Sequence, residues 1–352
     1  MNQAIAHLLQ TPASFLGSAS GDGIAVSSRI RLSRNLAAMP FPAASEKEGA
    51  ERVIREVSIA CGSSKSMKES LFFEMSKLDE LERLFLLERR LASNELIKSP
   101  IPSALVTAND GRSSVMINEE DHLRIQSIEP GFNLEQCWKN VNLLDDELAS
   151  QIEFAWSEEL GYLTECPTNV GTGMRASVML HLPGLVMTDQ IDATVNGIRK
   201  LSMAVRGIYG EGSDNSGRLF QVSNQITLGE SEEAIIEQLS AVIRQLIEYE
   251  RRARRALLER DRFALLDHVG RAYGLLQNSY KLSVSEAVEA LSALRLGVDL
   301  GLFKNLQINT INELFLELNP GHLQMRSSLA LPEAEQAVLR AKLFRSKLRE
   351  KA

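Results

Sequence analysis

Ser27-Ser28-Arg29-Ile30-Arg31 sets two arginines two residues apart. On a β-strand, residues i and i+2 share a face, so both guanidiniums point the same way. Side by side they repel unless something anionic lies between them. A polyphosphate suits them, because each guanidinium offers planar, bidentate donors. Taken alone, the pair also fits a solvated basic strand face. Asn118-Glu119-Glu120-Asp121-His122-Leu123-Arg124 runs three acids into a basic strand. Paired carboxylates at a strand end can grip a cation or take a proton from one; alone, the run also fits a solvent-facing turn. Cys166-Pro167-Thr168-Asn169-Val170-Gly171-Thr172-Gly173-Met174-Arg175-Ala176-Ser177 brings two glycines up to a strand that begins with an arginine. Glycine lets backbone N–H groups come close to a ligand. The segment matches neither GxxxxGK[ST] nor GxGxxG, so it is not one of the common nucleotide loops. Arg206-Gly207-Ile208-Tyr209-Gly210-Glu211-Gly212 runs an arginine into a glycine-rich loop bearing a carboxylate, a candidate lid.

Together the four segments say more than any one. Arg29, Arg31, Arg124, Arg175 and Arg206 lie on strand faces or at strand ends, with Glu119, Glu120 and Glu211 for company. One cleft lined this way would hold a nucleoside triphosphate beside a cationic acceptor.

The elements that must position these residues read as follows. Alternation at Ile24, Val26, Ser28, Ile30 and Leu32 predicts a strand. Helix is expected near 45–60, capped by Ser45, and strand at 70–76. SALVTA and SSVMI flank Asn109-Asp110-Gly111-Arg112, a hairpin signal over 103–117. Strand is expected at 122–128. Leu134, Cys137, Trp138, Val141, Leu144 and Leu148 recur at helical spacing. Strands follow at 175–182, 203–208 and 218–227, with a helix near 188–203. Strands and helices mix without regular βαβ alternation. The expected fold is therefore α+β, a mainly antiparallel sheet flanked by helices. Beyond 230 strand signals vanish, which places a catalytic domain at 1–250 and an all-helical domain at 251–352. Ser283 and Glu286 form a capping box. His181 reads as a core residue, and His268 and His322 as surface. Arg251-Arg252-Ala253-Arg254-Arg255 reads as a solvated helix face.

Bulk composition excludes several classes. The 352 residues are 44% hydrophobic and 24% charged, ordinary for a globular protein with a sizeable core. The net charge of −7 disfavours a general nucleic-acid binder. Cys61, Cys137 and Cys166 are odd in number and contain no CxxC, which argues against a disulfide framework or a zinc site. Met1–Gln10 lacks the basic, then apolar, character of a secretory signal, and no apolar run spans a bilayer. A cytoplasmic protein, not bound to membrane, is expected.

SSRIRLSRN, NEEDHLRIQ, CPTNVGTGMRAS and RGIYGEGS, in this order and spacing, closely resemble the ATP:guanidino phosphotransferase family, which includes creatine and arginine kinases. The resemblance covers roughly residues 24–250. Only 26 residues precede the SRIR strand, where small-molecule guanidino kinases carry about a hundred helical ones. That shortness and the helical 250–352 segment make the chain most similar to the bacterial protein arginine kinases. The resemblance implies ATP-dependent phosphorylation of arginine side chains in proteins. It assigns Glu119, Glu120, Glu211 and Cys166 to catalysis, with the glutamates on the substrate guanidinium and Cys166 orienting it. It assigns Ser27, Ser28, Arg29, Ile30, Arg31, Arg90, Arg124, Arg175, Ala176, Ser177, Val178, Met179, Arg206, Gly207, Ile208, Tyr209, Gly210 and Glu211 to ATP, with Mg²⁺ arriving on the nucleotide and no metal site of the protein's own. It further implies protein substrates with exposed arginine, a Clp-type protease, a zinc-containing activator protein and a homodimer. The alternatives are a small-molecule guanidino kinase, or a degenerate kinase serving as an adaptor or phosphoarginine reader. Two departures stand out. The bacterial group often has a Lys-His-Leu near the adenine, where this chain has Arg89-Arg90-Leu91. Its Arg-Asp-x-x-Arg-Ala motif is Gln336-Ala337-Val338-Leu339-Arg340-Ala341 here.

Overall fold

The computed structural model describes residues 2–16, 23–207, 216–327 and 330–349. In chain order the first elements are α1 (Gln3–Gln10), β1 (Ala25–Arg34), α2 (Lys47–Ser63), β2 (Leu71–Glu74), α3 (Glu80–Glu88), α4 (Asn94–Ile97), β3 (Ala104–Thr107), β4 (Ser113–Ile117), β5 (Leu123–Pro130) and α5 (Leu134–Ala149). Then come β6 (Trp156–Ser157), β7 (Gly161–Tyr162), β8 (Met174–His181), α6 (Pro183–Met187), α7 (Ile191–Arg199), β9 (Met203–Gly207) and β10 (Leu219–Asn224). Helices complete the chain: α8 (Glu232–Arg260), α9 (Arg262–Asn278), α10 (Val284–Asp299), α11 (Ile308–Glu317), α12 (Pro320–Ser327) and α13 (Glu333–Arg349). Eight strands form one sheet in the order β2-β3-β4-β5-β1-β8-β10-β9, and β6 pairs with β7 separately. The α+β class expected from the sequence is the class observed.

Two compact units make up the chain, and neither is continuous in sequence. The first holds residues 1–15, 27–177 and 223–240; the second holds 16–26, 178–222 and 241–352. The boundary expected near 250 falls inside α8, which runs unbroken from Glu232 to Arg260.

In the first unit, β3 and β4 form the predicted hairpin. Gly111 takes a positive φ of 71°, its N–H donates to Ala108 O at 2.9 Å, and the Asp110 carboxylate accepts from Arg112 N at 3.0 Å. α5 buries Leu134, Cys137, Val141, Leu144 and Leu148 along one stripe and lays it on β5. Ser45 does not cap α2 through its side chain. Glu46 occupies the N-cap position, and the Ser45 hydroxyl turns to Glu46 O instead.

In the second unit, Leu276, Leu291, Leu294, Ile311, Leu314 and Phe344 close the core of the helical segment. The expected capping box is present, with Ser283 and Glu286 bonded reciprocally at the start of α10. Two surface expectations fail here. His322 is buried, since α12 faces the core along Gly321–Met325. In the basic run, Arg251, Arg252 and Arg255 are exposed, but Arg254 is buried. Its guanidinium meets Glu250 at 2.6 Å, Asp299 at 3.2 Å and His181 O at 3.1 Å. His181 lies in the core as expected, with Nε2 2.8 Å from the Ser292 hydroxyl.

Candidate active site

The register of the sheet gathers the arginines of the first unit. β1 runs antiparallel to β5 with Arg31 opposite Gln126 and Ser33 opposite Arg124. Facing residues in a ladder share a side of the sheet, so Arg29, Arg31 and Arg124 occupy one face. The alternation of Arg29 and Arg31 with buried Ser28, Ile30 and Leu32 sends their side chains to the half-buried side. Arg175, second residue of β8, adds a fourth charge near the first three. Burial, then the nearby Arg124 and Arg175, push Arg29 down to about 10. Arg31 is depressed well below the usual guanidinium range by burial and then by Arg29 and Arg124. Among the described residues, Arg31 Nε is buried without a hydrogen-bond partner. Like charges this close, partly desolvated, make an anion-shaped demand.

At the edge of this cluster the acidic run separates into three roles. Glu119 is buried; both its oxygens accept from Arg124 Nη1 at 2.7 Å, and the Ser93 hydroxyl donates to it. Burial works to raise its carboxyl, but Arg124, Ser93 and the Glu120 N–H outweigh that and hold it below the ordinary value. The same pairing carries Arg124 above its ordinary value against the pull of burial. Glu120 is more open. Its carboxylate lies 3.5 Å from Arg124, and Cys166 is near enough to favour its charged form. Burial, followed by the neighbouring Asp121 and Glu119, raises its pKa. Asp121 is fully buried and accepts from Asn35 Nδ2 and Glu165 N, both at 2.7 Å. It ties the acidic turn to the loop that carries Cys166. Cys166 itself is half-buried, with Sγ 3.0 Å from the Thr168 hydroxyl.

Arg90 adopts a positive φ of 60°, donates from Nη1 to the Ser27 hydroxyl at 3.0 Å, and lies 4.5 Å over the Phe15 ring. It therefore stands beside β1, next to the strand that carries Arg29. Ser28 is occupied structurally: its hydroxyl donates to Gly131 O and accepts from Asn133 N, both at 2.8 Å, bridging β1 to the turn before α5. Ser177 is buried, and its hydroxyl reaches Arg29 O at 3.4 Å. Ile30, Ala176, Val178 and Met179 are buried. Arg206 and Gly207 end β9, in the second unit. Ile208, Tyr209, Gly210 and Glu211 lie outside the described residues.

Sequence reasoning passed over four residues that brace this site. Arg34 and Asn35 stood inside the SSRIRLSRN motif without a role. Arg34 pairs with buried Asp145 at 2.7 Å, donates to Thr172 O at 3.0 Å and stacks 3.5 Å from the Tyr162 ring centroid. Asn35 holds both Asp121 and the His122 N–H. His122 is buried, accepts from Leu36 N at 3.1 Å, and is pushed down to about 4 by burial. Ser93 gives no signal in the sequence beyond its place as an N-cap.

A family model described as ATP:guanido phosphotransferase, C-terminal catalytic domain, matches residues 52–253. A second, described as Protein-arginine kinase McsB C-terminal domain, matches 262–352. The chain is similar to the protein-arginine kinase of Geobacillus sp. (strain WCH70), with 45% identity over 329 residues, 93% of this chain and 91% of the relative. It is 44% identical to that of Bacillus subtilis (strain 168) over 327 residues, 92% of this chain and 90% of the relative. Among solved structures it resembles the duplicated taurocyamine kinase from Schistosoma mansoni with bound transition state analog components. That likeness has a TM-score of 0.60 and 26% identity, over 69% of this chain and 35% of the other. It shares its fold with a lombricine kinase at a TM-score of 0.58 and 22% identity, over 69% of each chain.

Proposed function

The chain belongs to the ATP:guanido phosphotransferase family, and on that premise we propose that it transfers the γ-phosphoryl of ATP to arginine side chains in proteins. The carrying observation is the pair Arg29 and Arg31, both lowered by burial and by the nearby Arg124 and Arg175, beside the half-open carboxylate of Glu120. The orphaned Nε of Arg31 and the depressed guanidiniums fit phosphate oxygens, whose negative charge would relieve the repulsion. No group of three carboxylate, imidazole or thiol side chains able to hold a metal occurs among the described residues. Mg²⁺ bound through the nucleotide's own oxygens would supply further charge neutralisation.

In the transfer, the bond from γ-phosphorus to the leaving oxygen of ADP breaks as a bond to the acceptor nitrogen forms in line. One proton leaves that nitrogen. A free guanidinium holds its proton to pH 12 or above, so the acceptor needs a base within hydrogen-bond reach as it attacks. Glu120 is placed for this, since burial has raised its proton affinity. Glu119, locked on Arg124, positions that arginine. Cys166, near Glu120, orients the acceptor. Family resemblance supports Arg90 stacking the base, Arg206, Gly207, Ile208, Tyr209, Gly210 and Glu211 binding ATP, and Glu211 also holding the acceptor guanidinium.

The same resemblance supports a cytoplasmic homodimer that acts with a zinc-containing activator and a Clp-type protease. No helix among the described residues is long and apolar enough to cross a membrane. The test is mass spectrometry, under non-acidic conditions, of a casein-like substrate incubated with ATP. Phosphoarginine that disappears with Glu120→Ala supports the reading. Phosphate only on Ser, Thr or Tyr overturns it, and ATP turnover on free arginine with none on protein replaces it with a small-molecule kinase.

A further inference from the structure

Next to Cys166 the first unit exposes a strip of apolar side chains that the transfer chemistry leaves unused. Trp156 is 58% exposed and Leu160 44%, on the β6–β7 hairpin; Ile226 is 46% and Leu228 51%, on the segment after β10. Four backbone segments lie side by side there. Trp156 pairs with Tyr162, and Tyr162 bridges to Gly171. Gly171 lies so close to the backbone of Thr227 and Leu228 that a Cβ would meet Thr227 O at 2.2 Å. The Thr227 hydroxyl reaches Thr168 O and Val170 O at 3.0 and 2.8 Å. The loop bearing Cys166 is thus clasped between the two apolar edges.

The strip is held rigid from beneath. Arg34 stacks on the Tyr162 ring and is itself fixed by Asp145 and Thr172 O. Phe154 meets the same ring edge-on at 6.4 Å. Large exposed apolar groups on a fixed support are what a docking surface needs and what an unused surface avoids.

Charge says what docks. Residues 140–174 contain seven acids and no Lys or Arg, and residues 223–240 contain four acids and none. Glu158, Glu159, Glu230 and Glu233 are exposed around the apolar side chains. An acidic rim around an apolar strip complements a cationic polypeptide carrying aromatic or aliphatic side chains.

We propose that this strip docks the residues flanking the target arginine, selecting extended, cationic segments with exposed apolar side chains. The inference rests on the arginine-kinase reading and names its substrate class. The strip is continuous with Cys166 and so with Glu120. A segment whose arginine enters the site would lay its neighbours across the hairpin.

The test uses the full chain and two dye-labelled peptides with one arginine each, flanked by Lys, Phe and Leu in one and by Asp and Ser in the other. Anisotropy should show the first binding about tenfold more tightly. Trp156→Ala combined with Leu160→Ser and Leu228→Ser should remove that preference and raise the peptide KM about tenfold, with kcat and the KM for ATP unchanged. Trp156→Phe should retain it. These side chains are exposed, so the melting temperature should not move. Equal binding of both peptides to the unaltered protein overturns the proposal, as does an unaffected triple variant. A triple variant that changes oligomeric mass while keeping the preference assigns the strip to a second copy of the chain and also overturns it. Selective binding without phosphoryl transfer supports docking and sinks only the kinase reading.

Discussion

Arginine is buried in two regions of this molecule, and the company it keeps differs. In the helical segment, Arg254 meets Glu250 and Asp299, and the Glu250 oxygens also accept the Gly184 and Leu185 N–H groups at 2.8 and 2.9 Å. Arg295 lies 3.8 Å from Asp299 and donates to Asn312. Arg340 donates to Leu318 O at 2.7 Å and Leu282 O at 2.8 Å. Arg254 and Arg295 have carboxylates beside them, and Arg340 is held by carbonyl oxygens, so these side chains answer a structural need. On the sheet face the strongest influences on Arg29 and Arg31, after burial, are other arginines. Burial of a charge is costly unless compensated, and the arginines beside Arg29 and Arg31 add to that cost in a way that a phosphate laid against them would relieve. Burial alone does not separate a structural arginine from a functional one; the sign of its neighbours does.

That distinction breaks most directly by exchanging the readouts. Arg31→Ala should lower kcat/KM for ATP by about a thousandfold or more, the scale of losing a charge-stabilising group in phosphoryl transfer. Its urea midpoint should stay level or rise, because a repulsive charge has gone. Arg254→Ala should do the reverse. It strands Glu250 and Asp299 and should lower unfolding stability by about 3–5 kcal/mol; at a temperature where it remains folded, kcat should change little. An Arg31→Ala protein that unfolds while Arg254→Ala remains stable and inactive would erase the contrast.

How much of this was legible in the sequence depended on whether a signal was local. The β3–β4 hairpin was readable because Asn109-Asp110-Gly111 states its own turn. The capping box at Ser283 and the stripe of α5 were readable for the same reason. The basic strand at Arg29 and Arg31 was readable because period two fixes the face. The division of labour among Glu119, Glu120 and Asp121 was not readable. Three acids in a row look alike until Ser93, Asn35 and Arg124, from elsewhere in the chain, claim two of them. Arg254 and His322 failed as surface residues because a helix carries no local mark of which side a distant helix will cover. The boundary expected near 250 falls near the junction of the two family models, which match 52–253 and 262–352, while the compact units follow long-range contacts that composition does not report.

The acidic turn offers a finer comparison between a group that keeps the fold and one that does the chemistry. His122 is pushed down to about 4 from an ordinary 6.5. At pH 7 both folded and unfolded forms are neutral, and the shift has no effect. As pH falls through 6.5 the unfolded chain takes up a proton that the folded chain refuses until about 4. Stability should therefore fall across that window, by roughly 3 kcal/mol at most. Urea titrations at pH 7 and 5 should show a smaller drop in His122→Asn than in the unaltered protein. Glu120 behaves oppositely in sign and in readout. Its raised pKa means that activity is lost on acidification at a pH above the ordinary carboxylate range, with the fold intact. A kcat/KM profile whose acid limb shifts in Glu120→Asp but not in His122→Asn separates the two.

Cys166 sharpens the same comparison at its smallest scale. Its sulfur lies 3.0 Å from the Thr168 hydroxyl and near enough to the Glu120 carboxylate to favour its charged form, and a serine hydroxyl can serve in both places. A phosphoryl group that passes directly from ATP to nitrogen forms no bond to sulfur. Cys166→Ser should then lower kcat less than about tenfold, as expected for loss of an orienting contact rather than a nucleophile. Cys166→Ala should lose somewhat more, because Glu120 then lacks the donor. Neither should shift the melting temperature, since the side chain is half-exposed. A loss with serine as large as that with Arg31→Ala would make the thiol a covalent participant, and the direct in-line transfer would have to be abandoned.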